Sequence, residues 1–385
     1  MFSSWLTPER LRLARNLLFA VGWIVAATLA LYRGETPPAP PVFQTPADLT
    51  GYATGWTDSP DDVATVVATM EVPHFAATDA GQSRDALPDH AYLWDAHRKL
   101  TGSVPPPQNQ NPVGSCVSFG TARAIERSLA CQIAYQQQPF RFEFLSEEVI
   151  YAGSRHEIGG DRIRPTARDR YGDGSVGAWA AQFVTRYGAI PKGVYSRYDL
   201  TRYDPARCRQ WGAVGAGVPD DLEPEVKNFT TGSAAQIRTW AEAKKSLAQG
   251  YSTAICSSVG FNKPGTASGF VDPAERDARG VCYQNGTWGH CMCLDGYHTD
   301  ELGREWGHIE NSWGEAHKGP VGWGSPNTSG FWTDSGTISR MLAQGDSWAF
   351  SAVKGFPARK PADWWSKAQP QRPQILREFE IALAW

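Results

Sequence analysis

The stretch NQNPVGSCVSFGTARAIERSLA, residues 109–130, contains one cysteine, at the junction of two patterns. Before Cys116 the chain is polar and contains proline and glycine, which is typical of a loop. From Ser118 to Tyr135, alanines and apolar residues recur at helical spacing and predict a long helix. The aligned backbone dipoles at the start of a helix favour a thiolate. The position of Cys116 therefore indicates a nucleophile.

A nucleophilic cysteine also needs an imidazole, and that imidazole needs an acceptor that fixes its orientation. His290 lies at the start of a predicted strand in GHCMCLDGY, and Asn311 follows one strand later in IENSWG. If these strands pair antiparallel, we expect the Asn311 amide to accept the imidazole proton and Trp313 to cover that bond. Gln110 lies six residues before Cys116. Its amide is the expected partner of the Cys116 N–H in an oxyanion hole.

These residues resemble the papain-like cysteine peptidases, the C1 family. That family has a glutamine, a Gly-Ser-Cys nucleophile that opens a long helix, a histidine on a strand, and then Asn-Ser-Trp-Gly. The matching positions here, in the same order, are Gln110, Gly114-Ser115-Cys116, His290 and Asn311-Ser312-Trp313-Gly314. Ordered matches of this kind are far more specific than a single short motif.

The resemblance covers about residues 87–355 and includes further segments. LPDHAYLWD, residues 87–95, is similar to the start of the mature domain, and FLSEEVIY, residues 144–151, is similar to the family's "LSE" helix. GDGSVGAW, residues 172–179, resembles the glycine loop that pairs with the substrate backbone. The implied catalytic residues are Cys116, His290, Asn311 and Gln110. The implied substrate-binding residues are Gly174, Ser175 and Trp313.

The chain also departs from the family pattern. Val117 follows the nucleophile where the family usually has Trp or Tyr, and Val113 stands where many members have a disulfide cysteine. His290 lies 174 residues after Cys116, which is more than the typical spacing of about 130–150 residues. We therefore expect insertions between the two.

The fold class expected from the patterns is α+β. Helices are predicted at 118–135, 176–191 and 235–250, and short strands at 251–259, 290–298, 305–313 and 347–353. The resemblance implies a papain-like two-lobe fold, with a helical left lobe and an antiparallel, β-barrel-like right lobe. It also implies a protein or peptide substrate, whose peptide bond is hydrolysed through an acyl-enzyme thioester.

Composition argues against several classes of function. The net charge of −3 gives no basic field for nucleic acid. No CxxC pair occurs among the seven cysteines, so a zinc ribbon is not indicated, and we expect neither a metal nor a cofactor. The odd cysteine count leaves at least one thiol without an intramolecular partner, and the pairing of the others is open. We expect His156, His298, His308 and His317 to be solvated.

Residues 16–32, NLLFAVGWIVAATLALY, carry no charge and are just long enough for a transmembrane helix. Three arginines precede this run and one follows it closely, which predicts a single-pass anchor with the remaining chain on the extracytoplasmic side. The alternative is a signal peptide that is cleaved near Ala30 to release a secreted protein. Both interpretations place the chain where disulfides are permitted.

The predicted organisation follows from these segments. It consists of a cytoplasmic N-terminus (1–15), the transmembrane helix (16–32), a proline-rich linker (33–50), a candidate pro-region (51–86), the peptidase domain (87–355) and a C-terminal extension (356–385). The extension has an amphipathic helix whose partner is unknown. Two other functions stay open at this point: a catalytically silent binding or structural module, and a cell-wall peptide amidase.

Overall fold

The computed structural model describes residues 52–136, 142–166, 169, 171–265, 271–326 and 328–360. The predicted anchor at 16–32, the linker at 33–50 and the C-terminal amphipathic helix lie outside these residues. Within the described part of the chain, no helix combines the length and the apolar character that a bilayer crossing requires. Residues 52–86 belong to the same compact unit as the predicted peptidase domain.

The described elements alternate between short helices and strands. The helices are α1 (Pro60–Thr69), α2 (Asp79–Gln82), α3 (Trp94–Thr101), α4 (Cys116–Gln136), α5 (Glu147–Gly153), α6 (Gly177–Arg186), α7 (Pro205–Trp211), α8 (Glu223–Lys227), α9 (Trp240–Ala248) and α10 (Ser335–Leu342). The strands are β1 (His90–Tyr92), β2 (Val194–Tyr195), β3 (Tyr198–Asp199), β4 (Ser233–Gln236), β5 (Thr253–Val259), β6 (Thr287–Thr299), β7 (Glu305–Glu310), β8 (Gly330–Asp334) and β9 (Ser347–Ser351).

One antiparallel sheet carries the second half of the chain. Its strand order is β4-β9-β5-β6-β7-β8, and β1 pairs with the end of β6. The end strands β4 and β8 do not pair within the described residues, so the barrel-like closure that we expected does not form there. The ladder between β6 and β7 shifts register at Asp295, which lies between the pairs Leu294–Ile309 and Gly296–His308. Such a bulge changes the direction of the side chain at the extra residue.

Helix α4 is buried along almost its whole length, because it packs against two hydrophobic clusters. Its first half, around Val117 and Ile125, packs with helices α5 and α6 in a helical cluster. Its second half, around Ile133, packs in a cluster that includes Leu247 and Ile309. The mixed α+β class with an antiparallel sheet is therefore confirmed. Helix α4 is the element that joins the helical part to the sheet.

Buried charges fix α4 to the sheet. The Arg127 guanidinium on α4 donates to the bulged Asp295 of β6 at 2.8 Å and also to Glu310 of β7. Nε of Arg123, one turn earlier on α4, lies 3.1 Å from Glu310. All four side chains are at most 2% exposed. Buried ion pairs of this kind hold α4 in one position against β6 and β7, because a shift that separated the partners would leave an unpaired charge in the core.

The sequence misplaced one helix. The pattern predicted a single helix over 235–250, whereas β4 ends at Gln236 and α9 begins at Trp240. The first alanine of the predicted helix, Ala235, instead lies in β4, where it pairs with Ala349 of β9. Sheet pairing thus overrides a weak local propensity. Thr239 accepts from the backbone N–H of Glu242 and caps the shorter helix.

Candidate active site

Cys116 is the first residue of α4 and is fully buried. Its thiol lies against the backbone N–H groups of Cys291 and Gly55, which favour the thiolate, but burial outweighs them and raises the pKa of Cys116 to about 12. Cys291 directly follows His290 on β6. The candidate nucleophile therefore faces the strand that carries the candidate imidazole.

His290 and Asn311 meet as the sequence predicted. The His290 Nε2 lies 2.7 Å from the Asn311 Oδ1, and the backbone N–H of Ser312 donates to the same oxygen at 2.7 Å. The Trp313 ring stacks on the His290 ring with centroids 4.4 Å apart. The other ring nitrogen of His290, Nδ1, is buried and has no hydrogen-bond partner among the residues that the structure describes. Burial lowers the pKa of His290 to about 4, although the bond to Asn311 acts in the opposite direction.

Gln110 is also buried at this site, but its amide is already bonded. Its Nε2 donates to the carbonyl of Ala53 at 3.0 Å and to that of Val113 at 2.8 Å. The indole N–H of Trp313 donates to the same Ala53 carbonyl at 2.8 Å. The donor that we expected in an oxyanion hole thus holds a carbonyl oxygen of the chain's own N-terminal part.

That carbonyl belongs to residues 52–57, which we call the cleft segment. The Ser175 N–H donates to the Gly55 carbonyl at 2.8 Å, and the Thr57 N–H donates to the Ser175 carbonyl at 3.0 Å. On the opposite side, the N–H groups of Gly55 and Trp56 donate to the Gly289 carbonyl at 3.0 and 2.9 Å. The cleft segment therefore bridges the predicted substrate loop and the residue before His290.

The cleft segment approaches the nucleophile loop so closely that glycine is required on both sides. A Cβ on Gly55 would lie 1.9 Å from the Gly114 carbonyl oxygen. A Cβ on Gly174 would lie 2.7 Å from the Gly55 carbonyl oxygen, and the φ of Gly174 is +118°. Glycine alone among the common residues fits such positions without strain. Gly174 and Ser175 thus contact a backbone, as predicted, and that backbone is the chain's own.

Trp56 fixes the cleft segment through its side chain. Only 7% of Trp56 is exposed, and its indole N–H donates to Asp346 at 2.8 Å. The buried Asp346 carboxylate also accepts from the indole of Trp348 at 2.8 Å and from the N–H groups of Gly177 and Ala178 at 2.7 Å each. Asp346 thereby caps the N-terminus of α6 and holds the cleft segment.

A disulfide lies beside this site. Cys256 of β5 and Cys291 of β6 are directly opposite each other in the sheet and form a disulfide. Cys293, two residues along β6, is free and buried. Cys116 is also free. The pairing that the sequence left open thus includes one bridge within the described residues, next to His290.

Two histidines contradict the expectation from sequence. His308 and His317 were predicted to be solvated, but both are buried. His308 lies between Asp295 and Ser325, at 2.6 Å from each, and His317 lies 3.2 Å from the Asn311 side chain. Both were expected in a turn or surface context, although His308 lies within the strand predicted at 305–313. Asp346 was not predicted, and the cleft segment was predicted only as part of the candidate pro-region (51–86).

Solved structures of papain-like cysteine proteases are similar to this chain. Xylellain, a cysteine protease from Xylella fastidiosa, is 18% identical, with 79% of this chain and 96% of that chain covered and a TM-score of 0.45. Digestive procathepsin L 3 of Tenebrio molitor larval midgut is 15% identical, with 91% and 94% covered and a TM-score of 0.42. The bromelain protease from Ananas comosus is 17% identical, with 69% and 99% covered and a TM-score of 0.39. No protein-family model and no curated protein matches the chain.

Proposed function

We propose that the chain is a papain-like cysteine endopeptidase that its own cleft segment keeps latent. The observation that carries this proposal is the His290–Asn311 pair, 2.7 Å apart, on the strand where the N–H of the next residue, Cys291, lies against the Cys116 thiol. A thiol at a helix start, an imidazole and an amide that orients the imidazole are the groups that nucleophilic acyl transfer needs.

The proposed reaction uses these groups in order. His290 Nδ1 takes the thiol proton, and the Cys116 thiolate attacks the substrate carbonyl carbon. The Cys116 N–H and the Gln110 amide stabilise the resulting oxyanion. His290 then gives its proton to the leaving amine, and the C–N bond breaks to leave a thioester. A water molecule, deprotonated by His290, hydrolyses the thioester and restores the thiol.

Latency is supported by what the cleft segment occupies. It bonds to Ser175, the predicted substrate-binding residue, and to the Gln110 amide, the predicted oxyanion donor. It also contributes to the complete burial of Cys116, whose thiol lies against the Gly55 N–H. A substrate backbone requires the same groups, so the segment has to leave before a substrate binds.

The test compares the full-length chain with Gly55→Val, whose side chain cannot fit beside Gly114. We expect an epoxide probe that labels active-site cysteines to modify Cys116 at least tenfold faster in the variant, with protein cleavage appearing in parallel. Gly193→Val is the matched control, since a Cβ there meets only the Tyr195 ring, at 3.3 Å. His290→Ala in the Gly55→Val background should abolish the labelling.

Each other outcome overturns a definite part of the proposal. Equal labelling of Cys116 in the parent and in Gly55→Val would refute latency while leaving the peptidase. Absence of labelling in a folded Gly55→Val sample would refute the peptidase and favour a silent binding module. Release of cell-wall peptides without cleavage of proteins would favour the amidase.

We further propose that residues 16–32 anchor the protein with the peptidase on the extracytoplasmic side. The Cys256–Cys291 disulfide supports an oxidising compartment. The full-length chain should resist alkaline extraction from membranes, and a chain without residues 16–32 should not be exported. A soluble exported product that begins near Ala30 would instead establish signal cleavage.

A further inference from the structure

His317 contacts the side of Asn311 that faces away from His290. The Asn311 Nδ2 lies 3.2 Å from the His317 Nε2, while the Asn311 Oδ1 is bonded to His290 and to the Ser312 backbone N–H. A backbone N–H is always a donor, so the oxygen of the Asn311 amide has to face Ser312. The amide nitrogen consequently faces His317, and the His317 Nε2 is an acceptor.

The surroundings of His317 hold it in that tautomer. With Nε2 as acceptor the ring proton is on Nδ1, which lies 3.4 Å from the Ala274 carbonyl and 3.8 Å from the Cys282 sulfur. The side chain is buried, and the Phe331 ring lies 4.5 Å away. Burial, with Arg276 and His290 nearby, lowers the pKa of His317 to about 3. The burial therefore favours the neutral ring, as the acceptor role of Nε2 requires.

We infer that His317 is a positioning residue of the proposed peptidase, which acts on His290 through Asn311. Donation from the Asn311 Nδ2 to His317 confines the amide and polarises it, so that the Oδ1 becomes a better acceptor for the His290 Nε2–H. A better acceptor stabilises the imidazolium that pairs with the Cys116 thiolate. The inference rests on the proposed function, since it concerns the basicity of His290 in that reaction.

The experiment uses the full-length chain with Gly55→Val, which should displace the cleft segment and expose Cys116, and two replacements of His317 in that background. His317→Phe keeps a ring but removes the acceptor, whereas His317→Gln keeps an acceptor oxygen near the position of Nε2. In one-dimensional proton NMR, the hydrogen-bonded Nε2–H of His290 should resonate far downfield. The absence of this resonance in His290→Gln would assign it to His290. We expect this resonance to move upfield in His317→Phe and to stay in place in His317→Gln.

The rate of Cys116 alkylation by iodoacetamide gives the second measurement. Loss of one buried hydrogen bond predicts that His317→Phe reacts about tenfold more slowly. The decrease of the alkylation rate at alkaline pH, where His290 loses its proton, should begin at a lower pH than with His317 in place. His317→Gln should restore most of the rate. In an Asn311→Ala background, His317→Phe should have almost no further effect, because a role through Asn311 is not additive with its removal.

The outcomes separate this inference from the proposed function. A folded His317→Phe with an unchanged resonance and an unchanged alkylation profile would overturn the inference alone. Additive losses in the Asn311→Ala background would show a structural role and overturn it as well. If Phe does not fold there, His317→Leu takes its place, and equal losses for Leu and Gln would refute positioning. No alkylation of Cys116 in any of these chains would overturn the proposed function, and this inference with it.

Discussion

The protonation of two single residues accounts for the latency that we propose. Burial raises the pKa of Cys116 to about 12 and lowers that of His290 to about 4. Both shifts favour the neutral thiol and the neutral imidazole over a thiolate–imidazolium pair while the cleft segment is in place. Departure of the segment admits water, which stabilises both charged forms. In the peptidase that we propose, Cys116 and His290 then form the reactive pair.

Replacing Trp56 measures how much one side-chain hydrogen bond contributes to holding the cleft segment in place. Trp56→Phe keeps an aromatic ring but loses the N–H that donates to the buried Asp346 at 2.8 Å. A hydrogen bond to a charged group contributes about 1.5–3 kcal/mol. We therefore expect the epoxide probe to label Cys116 roughly ten- to a hundredfold faster than in the parent.

The control for Trp56 is another indole that donates to a carboxylate. The Trp240 Nε1 donates to Glu305 at 2.5 Å, at a position outside the candidate site. Trp240→Phe should leave the labelling rate of Cys116 unchanged. If the two variants behaved alike, the bond to Asp346 would have no part in latency.

At the scale of elements, the geometry of the site depends on how α4 is placed against β6 and β7. Cys116 begins α4, His290 lies on β6, and Asn311 directly follows β7. Arg127 of α4 spans both strands through Asp295 and Glu310. In the peptidase that we propose, a shift of α4 by about 1 Å would misplace the nucleophile relative to its base, so we expect this buried network to affect activity as well as stability.

Replacing Arg127 by Met should therefore be costly. The variant leaves Asp295 and Glu310 without their shared guanidinium in the core, and breaking a buried pair costs about 3–5 kcal/mol. Urea unfolding of the full-length chain should show this loss. Arg98→Met is the control, because the Arg98–Asp95 pair is exposed, with 59% of the Arg98 side chain accessible, and should change stability by less than about 1 kcal/mol. Similar losses for both variants would show that the network does not place α4.

The sequence predicted elements well where local pattern and tertiary packing agree. The helix predicted at 118–135 is α4, Cys116–Gln136, and the strand predicted at 251–259 is β5, Thr253–Val259. Strand β8 and helix α10 were missed because Asp334 ends the strand and also caps the helix, with no turn residue between them. The sequence did contain a helix-start residue for α10, because Asp334 is a typical N-cap residue and its side chain accepts from the Thr337 N–H.

The site was predictable in so far as it uses special side chains. Cys116, His290 and Asn311 carry chemistry that few residue types provide, and their order along the chain brought them together in the prediction. The cleft segment binds largely through backbone N–H and carbonyl groups, which every residue has. The two residues on which its fit also depends, Gly55 and Trp56, do not by themselves indicate such a role in the sequence. His317 was missed for another reason: burial of its loop depends on contacts such as those with Ala274 and Phe331, which are distant in sequence.

For the molecule as a whole, buried histidines couple stability to pH. Burial lowers the pKa from 6.5 to about 3 for His97 and His317 and to about 4 for His290. The unfolded chain takes up these protons below about pH 6.5, whereas the folded chain does not. The contribution of these histidines to the free energy of unfolding is therefore largest above that pH and decreases as the pH falls. Burial of Glu147 raises its pKa from 4.5 to about 7. Between these two pH values the folded chain binds a proton at Glu147 that the unfolded chain does not, which offsets one of the histidine protons.

His97 isolates this effect at a position away from the proposed chemistry. Its ring packs between Phe142 and Phe144, with centroids 4.6 and 5.5 Å away, and its Nδ1 is buried without a partner. His97→Phe removes the titrating group and keeps a ring in an aromatic cluster. Relative to the parent, the variant should gain about 1.4 kcal/mol of unfolding free energy for each unit by which the pH falls below about 6.5.

Urea unfolding at about pH 7.5, 6 and 5 measures this difference, and His97→Leu serves as a second variant without a titrating ring. For both variants, the difference in unfolding free energy from the parent should increase by the same amount as the pH is lowered, whatever their stability at neutral pH. A gap that stays constant with pH would mean that the folded and unfolded chains protonate His97 alike. The cost of its burial would then come from packing alone, and the acid sensitivity of the molecule would have to arise at His290 and His317.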